Sequence, residues 1–198
     1  MRNGKLNDTS GRYGLVSRLL HWVVAYLVLW QLLPVAGWSL IGAGRFMRTV
    51  RGAGPNHGTA GFLVALLIGP RFTWAVANRR RRPPAQSGLG GRAAWIAHRL
   101  MYLLTATVAL LPLLRAYGSG DGLTVLGIRV IAETGVEHAT LIIPADLLHK
   151  PLAYALAALI ALHVAAALWH GVVRRDGIVA RMTGPLGCRS NETKQLGV

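Results

Sequence analysis

The chain alternates between four long apolar stretches and shorter polar, basic segments. Each apolar stretch is about as long as the ~20 residues that an α-helix needs to cross the ~30 Å hydrocarbon core of a bilayer. The pattern predicts an all-α integral membrane four-helix bundle that forms a single domain over residues 1–198. The predicted spans lie at about residues 19–41, 57–77, 93–114 and 149–173, and we expect the fourth helix to start near Asp146.

The composition agrees with a membrane protein and excludes several cofactor classes. Hydrophobic residues make up 53% of the chain and charged residues only 15%, whereas a soluble domain usually carries about 25% charged residues. The first apolar stretch follows a basic segment, as in a secretory signal, but it is too long for one, so we expect an uncleaved span. The single cysteine, Cys188, leaves no disulfide, no iron–sulfur cluster and no Cys-x-x-Cys-His haem attachment.

The net charge of +15 follows the expected membrane topology. Four spans place both termini on one side, and that side holds fourteen of the 22 lysines and arginines, including the run from Arg79 to Arg82. Because positively charged loops favour the cytoplasm, both termini and the basic tail, residues 174–198, are predicted to be cytoplasmic. Topology thus accounts for the basicity, so we expect membrane lipid and no nucleic acid as the surroundings of this chain.

Histidines recur in or beside the predicted spans. Six of the seven histidines lie there, and ionisable residues in spans tend to face the bundle interior or a cofactor. His149 and His163 are 14 residues apart, which places them on one helix face and roughly 21 Å apart along the axis. Neutral imidazole is a good iron ligand, and haem sites in bundles are built from facing helices. The spacing therefore predicts one haem near each membrane face.

The depth of the other histidines suggests partners for this pair. His57 begins the second span on the outer side, where His149 also lies, so these two could clamp an outer haem. On the inner side, the depth of His21 matches His163 and matches His98 equally well. Spacing favours His163 as the inner partner of His21 and leaves His98 open.

Short motifs in all four spans resemble those of a known family. The segment RLLHW at 18–22 resembles the opening of bacterial cytochrome b561 proteins. The segment HGTAG at 57–61, followed by Arg71 and Trp74, resembles their second helix, although Ala75 stands where an arginine is familiar. His98 with YLL at 102–104 resembles the third helix. The most specific match, to the fourth helix, is LHK at 148–150 with LHVAAALWH at 162–170.

The resemblance implies two b-type haems per chain and a place in the bacterial inner membrane, with ubiquinone as the electron acceptor. We expect the quinone on the inner side beside His170, with His98 nearby, although each of these could be an ordinary interfacial residue. His138 is expected in a solvated loop. The resemblance assigns the axial ligands as His57 and His149 for the outer haem, and His21 and His163 for the inner haem.

Basic side chains supply the remaining candidate site residues. Buried arginines commonly pair with carboxylates such as haem propionates, and the candidates for this role are Arg18, Arg71 and Arg99. Arg18 and Arg71 could instead extend to lipid headgroups. Outward-facing cations could attract a small anion such as superoxide, and a solvated, lipid-facing or propionate-pairing role is equally consistent; these candidates are Arg45, Arg48, Arg51 and Lys150.

The most similar pattern within the family is that of small stand-alone members that include superoxide oxidase. It implies oxidation of superoxide to dioxygen on the periplasmic side and reduction of ubiquinone. The alternative is a haem b electron-transfer or anchor subunit that links a partner dehydrogenase or hydrogenase to the quinone pool. Such a partner could dock on the outer loop, Arg115 to Pro144, which could equally cap the outer haem. A third class, a haemless transporter, would lack a b-type α-band in its absorption spectrum.

Overall fold

A computed structural model describes residues 5–42, 44–84 and 87–184. It confirms the predicted helical membrane bundle, with four helices long and apolar enough to span a bilayer. The helices are α1 (Leu15–Ile41), α2 (Arg45–Gly52), α3 (His57–Ala77), α4 (Gly88–Gly118), α5 (Ala139–Leu168) and α6 (Ala180–Thr183), and α5 continues into a π-helical segment, Trp169–Arg174. The antiparallel strands β1 (Leu123–Val125) and β2 (Ile128–Ile131) form a short hairpin.

The four long helices pack in series. Helix α1 packs along α3, α3 along α4, and α4 along α5, whereas α1 and α5 hardly contact each other within the described residues. The core is formed by Val24, Leu27 and Val28 of α1 with Ala60 and Val64 of α3, joined by single residues of the other two helices. The first and last described residues lie at one end of the bundle, here called the near end; α2 and the hairpin lie at the far end.

The bounds of α4 and α5 differ from the predicted spans. Helix α4 covers Gly88–Gly118, not 93–114, and α5 begins at Ala139, inside the expected outer loop. The two helices touch closely there, because a Cβ on Gly118 would lie 2.8 Å from the Leu141 Cβ. Pro144 and Pro151 lie inside α5, and membrane helices tolerate proline because neighbouring groups satisfy the released carbonyls. The helix therefore starts before both prolines, and not near Asp146 as the sequence predicted.

Two small elements at the far end were not predicted. Helix α2 is only eight residues long, and the strands have three and four residues. The hairpin turn contains Leu126 and Gly127, both with positive φ, at 50° and 81°, as a tight two-residue hairpin turn requires. Strand β1 packs on α3 and α4, so the hairpin covers part of the far end.

Polar contacts tie three chain segments together at the near end. Asp8 is 2% exposed, and its carboxylate accepts hydrogen bonds from the Gly14 amide at 2.9 Å and from Arg82 Nε at 3.0 Å. The Arg82 guanidinium lies 5.6 Å from the Tyr13 ring centroid, and the Tyr13 amide donates to the Arg181 carbonyl. This terminal clasp, formed by Asp8, Tyr13, Gly14, Arg82 and Arg181, joins the N-terminal segment to the α3–α4 connection and to α6.

Candidate functional site

At the far end the structure brings together two histidines of the predicted outer pair. His57 opens α3 and His149 lies on α5, and their ring centroids are 6.1 Å apart with an angle of 86° between the rings. The Nδ1 atom of His149 is buried and has no hydrogen-bond partner among the described residues. Two imidazoles from different helices, one of them with an unsatisfied nitrogen, therefore face each other at this end.

The position of His57 is fixed by its neighbours in the chain. The Asn56 side chain caps α3 by accepting a hydrogen bond from the Thr59 amide at 2.8 Å. One residue earlier, the Pro55 carbonyl accepts a hydrogen bond from the Trp30 indole at 2.9 Å. Gly54 packs so closely on the Trp30 ring that a Cβ there would lie 2.4 Å from it. The two contacts with Trp30 anchor the start of α3 to α1, and none of these contacts was predicted from the sequence.

At the near end the ring of His163 contacts that of His98. The centroids of these two rings are 5.3 Å apart. The Nδ1 atom of His98 lies 2.6 Å from the Ala94 carbonyl, which can only accept, so Nδ1 carries a proton and Nε2 of the neutral ring is left as an acceptor. His21, the predicted partner of His163, lies within electrostatic range of both histidines. The three histidines therefore lie at the same end of the bundle, and the choice of His163 over His98 as the partner of His21 stays a prediction.

His21 is held by an arginine of α3. Arg71 Nη2 lies 2.9 Å from His21 Nδ1, and the guanidinium also lies 5.1 Å from the Tyr102 ring centroid. Because arginine only donates, Nδ1 of His21 accepts in this arrangement, and the neutral ring carries its proton on Nε2. Coordination of iron through Nε2 would require Arg71 to leave His21, which would release the guanidinium for an anionic partner.

The other two predicted propionate partners differ in environment. Arg18, on α1, has a buried Nη1 atom without a hydrogen-bond partner among the described residues. A buried guanidinium nitrogen in this state is suited to an incoming carboxylate. Arg99 lies on an exposed part of α4, where its guanidinium packs 3.6 Å from the Trp95 ring centroid. Its position favours a membrane-interface contact over a propionate.

The predicted superoxide-attracting cations lie at the far end. Arg45 and Arg48 are exposed on α2, and Lys150 is exposed on α5 next to His149. The side chain of Arg51 lies outside what the structure describes, as do Cys188 and the rest of the tail beyond residue 184. The described cations thus lie on elements at the same end of the bundle as the His57–His149 pair.

Two further histidines have local partners. His170, in the π-helical segment, has its Nδ1 atom 2.5 Å from an oxygen of Asp176, a contact that was not predicted from the sequence. His138 precedes α5 and stacks on Tyr117, with ring centroids 6.3 Å apart. His138 is exposed, as the sequence predicted.

The site geometry defines a class of protein. Histidines from different membrane-spanning helices meet at both ends of the bundle, and the described residues contain no cluster of three or more His, Cys, Asp or Glu that could hold a bare metal ion. A haem iron needs only two protein ligands, so paired histidines are sufficient for it. The fold and the site together are those of a multi-pass membrane cytochrome of the b type.

Comparison with known proteins gives the family. The chain matches the family described as "Prokaryotic cytochrome b561" over residues 12–185. It is 25% identical over 185 residues to "Cytochrome b561 homolog 2" of Escherichia coli (strain K12), and the match covers 89% of this chain and 94% of that protein. The chain belongs to the prokaryotic cytochrome b561 family. It is therefore a membrane electron-transfer protein, and b-type haem is its implied cofactor.

The residues present fit such a cofactor. At the far end, the ring of His149, whose Nδ1 has no partner among the described residues, and the facing ring of His57 provide two imidazoles that could ligate iron. At the near end, the buried unpaired nitrogen of Arg18 provides a place for an acidic group. The weak contact between α1 and α5 also leaves the two helices that carry His21 and His163 without the direct packing seen between the other neighbours.

Proposed function

We propose that the chain holds two b-type haems and transfers electrons from superoxide to ubiquinone. The observation that carries this proposal is the presence of histidine groups from different helices at both ends of one bundle. A b-type haem held by two histidines accepts and donates single electrons and has no open iron position. The proposed ligands are His57 and His149 at the far end, and His21 and His163 at the near end.

The proposed overall reaction is balanced for atoms, charge and electrons. Two superoxide anions each lose one electron and leave as dioxygen. One ubiquinone gains these two electrons and two protons and becomes ubiquinol. In the proposed topology, with both termini in the cytoplasm and the chain in the bacterial inner membrane, superoxide approaches the far end from the periplasm.

At the far end the proposed role of the chain is to attract an anion. Arg45 and Arg48 of α2 and Lys150 of α5 are exposed at the end of the bundle that carries the His57–His149 pair, and Arg51 belongs to the same helix as the first two. Clustered positive charge raises the local concentration of a small anion and its association rate, with a strong dependence on ionic strength. Superoxide fits this description.

At the near end the chain would hold acidic groups and supply protons. Arg18 and, once released from His21, Arg71 are the proposed partners of haem propionates; Arg99 is a weaker candidate because of its exposed position on Trp95. His170 and His98 are the proposed quinone-side residues. His98 Nε2 is an acceptor in the described geometry, and His170 is paired with a carboxylate.

The ligand scheme is tested by the haem content of purified protein. We expect two haems per chain in the wild type. His149→Ala and His163→Ala are each expected to impair a different haem, seen as loss of different components in a redox titration of the α-band. His138→Ala is the matched control, since His138 is exposed and stacks on Tyr117, and should keep two haems. Two normal haems in both ligand variants would refute the scheme.

The ligands of the near-end haem are tested by comparing the alanine variants of His21, His98 and His163. If His21 is the partner of His163, His21→Ala should lose the same redox component as His163→Ala, while His98→Ala should keep both. If His21→Ala and His98→Ala lost the same component while His163→Ala kept both haems, the partner of His21 would be His98, whose ring contacts that of His163.

The activity is tested by adding superoxide to the oxidised protein. The α-band of the reduced cytochrome should appear, and added ubiquinone should reoxidise it. We expect the rate of reduction to fall several-fold between low and high ionic strength, and to fall further in Arg45→Gln/Arg48→Gln, because the attraction is electrostatic. If superoxide did not reduce the oxidised cytochrome, the proposed superoxide oxidase activity would be excluded.

A second proposal is a haem b electron-transfer or anchor subunit that serves a partner redox protein. It is favoured by the exposed apolar side chains of the hairpin, where Leu126 and Ile128 are 79% and 70% exposed. In that case, superoxide would not reduce the protein, and a partner would copurify in a manner sensitive to Leu126→Ser.

A further inference from the structure

The π-helical segment that ends the fourth span places a histidine beside a carboxylate. His170 and Asp176 are six residues apart, a spacing that puts two side chains on different faces of a regular α-helix, since six steps rotate by about 240° beyond a full turn. Here the chain winds as a π-helix through Trp169–Arg174, and Arg175 then adopts a left-handed conformation with φ of 50°. This non-glycine residue in an unusual conformation turns the chain back, so that Asp176 meets His170.

Hydrogen bonds and packing hold Asp176 against His170. One oxygen of Asp176 lies 2.5 Å from His170 Nδ1, and the other accepts a hydrogen bond from the Ile178 amide at 3.3 Å. Packing of Val179 against Gly171, whose Cβ position would lie 3.4 Å from the valine side chain, holds the returning segment on the helix. The two side chains are 19% and 27% exposed. The geometry therefore fixes both partners while leaving the pair accessible from the near end.

The charge state of Asp176 sets the direction of the hydrogen bond. Desolvation would raise the pKa of this carboxyl, but the hydrogen bonds from His170 and Ile178, with the nearby Arg174 cation, lower its pKa on balance. The carboxylate is thus ionised near neutral pH and can only accept. Nδ1 of His170 must then carry a proton, which leaves Nε2 as the nitrogen that gains and loses one.

We propose that Asp176 is the positioning residue for proton transfer to ubiquinone: it holds the proton of His170 on Nδ1 and presents Nε2 as the proton donor. This inference rests on the proposed function. The N–H bond at Nε2 breaks, an O–H bond forms on the quinone as it receives its electrons from superoxide, and His170 is reprotonated at Nε2 from the water at the near end. The other charged groups at this turn, Arg174 and Arg175, only donate and cannot replace the carboxylate; Arg175 Nε donates to the Val172 carbonyl.

The experiment compares Asp176→Ala with Glu133→Gln in the full-length, haem-loaded protein. Glu133 is the matched control because its carboxylate is also hydrogen-bonded, to Arg129, in the exposed far-end hairpin region. Three quantities are measured: haem reduction by superoxide without quinone, kcat and KM for ubiquinone reduction, and the position of the His170 ring proton. The last is read by nitrogen NMR of ¹⁵N-histidine-labelled, dithionite-reduced protein, with the His170 signal assigned from its absence in His170→Gln.

We expect Asp176→Ala to keep normal haem reduction by superoxide, while kcat for ubiquinone falls roughly tenfold or more, a part of the ~10²–10⁴-fold that a positioned general acid supplies. KM should change little. The His170 proton should move away from Nδ1 in Asp176→Ala and stay there in Asp176→Asn, which keeps an oxygen acceptor. Unchanged kcat and an unmoved proton in Asp176→Ala would overturn the proposal.

The two proposals fail separately. If the wild type does not reduce ubiquinone, the proposed function falls, but the NMR measurement still decides whether Asp176 positions His170. A proton that leaves Nδ1 only when the acceptor is removed supports the positioning role, and a proton found on Nε2 in the wild type overturns it.

Discussion

Asp8 is a buried carboxylate in a polar N-terminal segment that gives no hint of burial. It accepts one hydrogen bond from the backbone and one from Arg82, which lies 74 residues further along the chain. The Asp8 side chain is fully covered, whereas Arg82 is 26% exposed. The pair therefore owes its stability to hydrogen bonds around a desolvated anion, and loss of the anion leaves a cation that water can still reach.

We expect Asp8→Asn to destabilise the protein by about 1–3 kcal/mol, because it leaves Arg82 and part of the clasp without an ionised acceptor. The loss should appear as a lower midpoint of thermal unfolding, followed by circular dichroism in detergent. Glu133→Gln removes a carboxylate that is 60% exposed and should change stability by no more than about 0.5 kcal/mol. If Asp8→Asn lowered the midpoint of thermal unfolding no more than Glu133→Gln does, the clasp would add nothing to stability.

Helices α1 and α3 are joined by two indole hydrogen bonds, one at each end. At the far end Trp30 donates to the Pro55 carbonyl at 2.9 Å, and at the near end Trp74 donates to the buried Ser17 hydroxyl at 3.0 Å. Because both bonds join α1 to the chain around α3, they fix the height of one helix against the other. That height sets where His21 on α1 meets Arg71 on α3.

The Ser17–Trp74 bond can be tested by a double-mutant cycle. Ser17→Ala should cost about 1–2 kcal/mol, since it leaves the Trp74 indole N–H without a partner in a partly buried position. In the background of Trp74→Phe, which removes that N–H, the same serine substitution should cost much less. Thermal unfolding of the four proteins gives the coupling energy, and additive effects would show that the bond does not tie the helices.

At the scale of the whole molecule, the sequence predicts the spans better than it predicts how they meet. Four apolar stretches predicted four membrane helices, but the start of α5 was missed because Pro144 interrupts the apolar run after Ala139. Spacing gives the depth of a histidine, not the rotation of its helix, so it could not separate His98 from His163 as the partner of His21. The Asp176–His170 contact depends on π-helical winding, which no periodicity reveals.

The distribution of positive charge in the sequence predicts the orientation of the bundle in the membrane, and cysteine labelling can test it. In the proposed topology the near end is cytoplasmic, because Arg79 to Arg82 and most other cations lie there. In a Cys188→Ser background, Ser10→Cys reports the near end and Asp121→Cys reports the far end, since both positions are exposed. A membrane-impermeant maleimide added to intact bacterial spheroplasts should label only Asp121→Cys, and lysis should expose Ser10→Cys.

The arginine run can then be shown to set this orientation. Neutral replacement of Arg79 to Arg82 removes four charges from a short loop beside two spans, the position where positive charge is most effective. We expect a mixed population in which both reporter cysteines are labelled in part before lysis. Removing Arg45 and Arg48 from the far end should leave the labelling as in the parent, since it increases the existing asymmetry. Labelling of Ser10→Cys with protection of Asp121→Cys in the parent would reverse the topology, and superoxide would then have to approach the end that carries α2 from the cytoplasm.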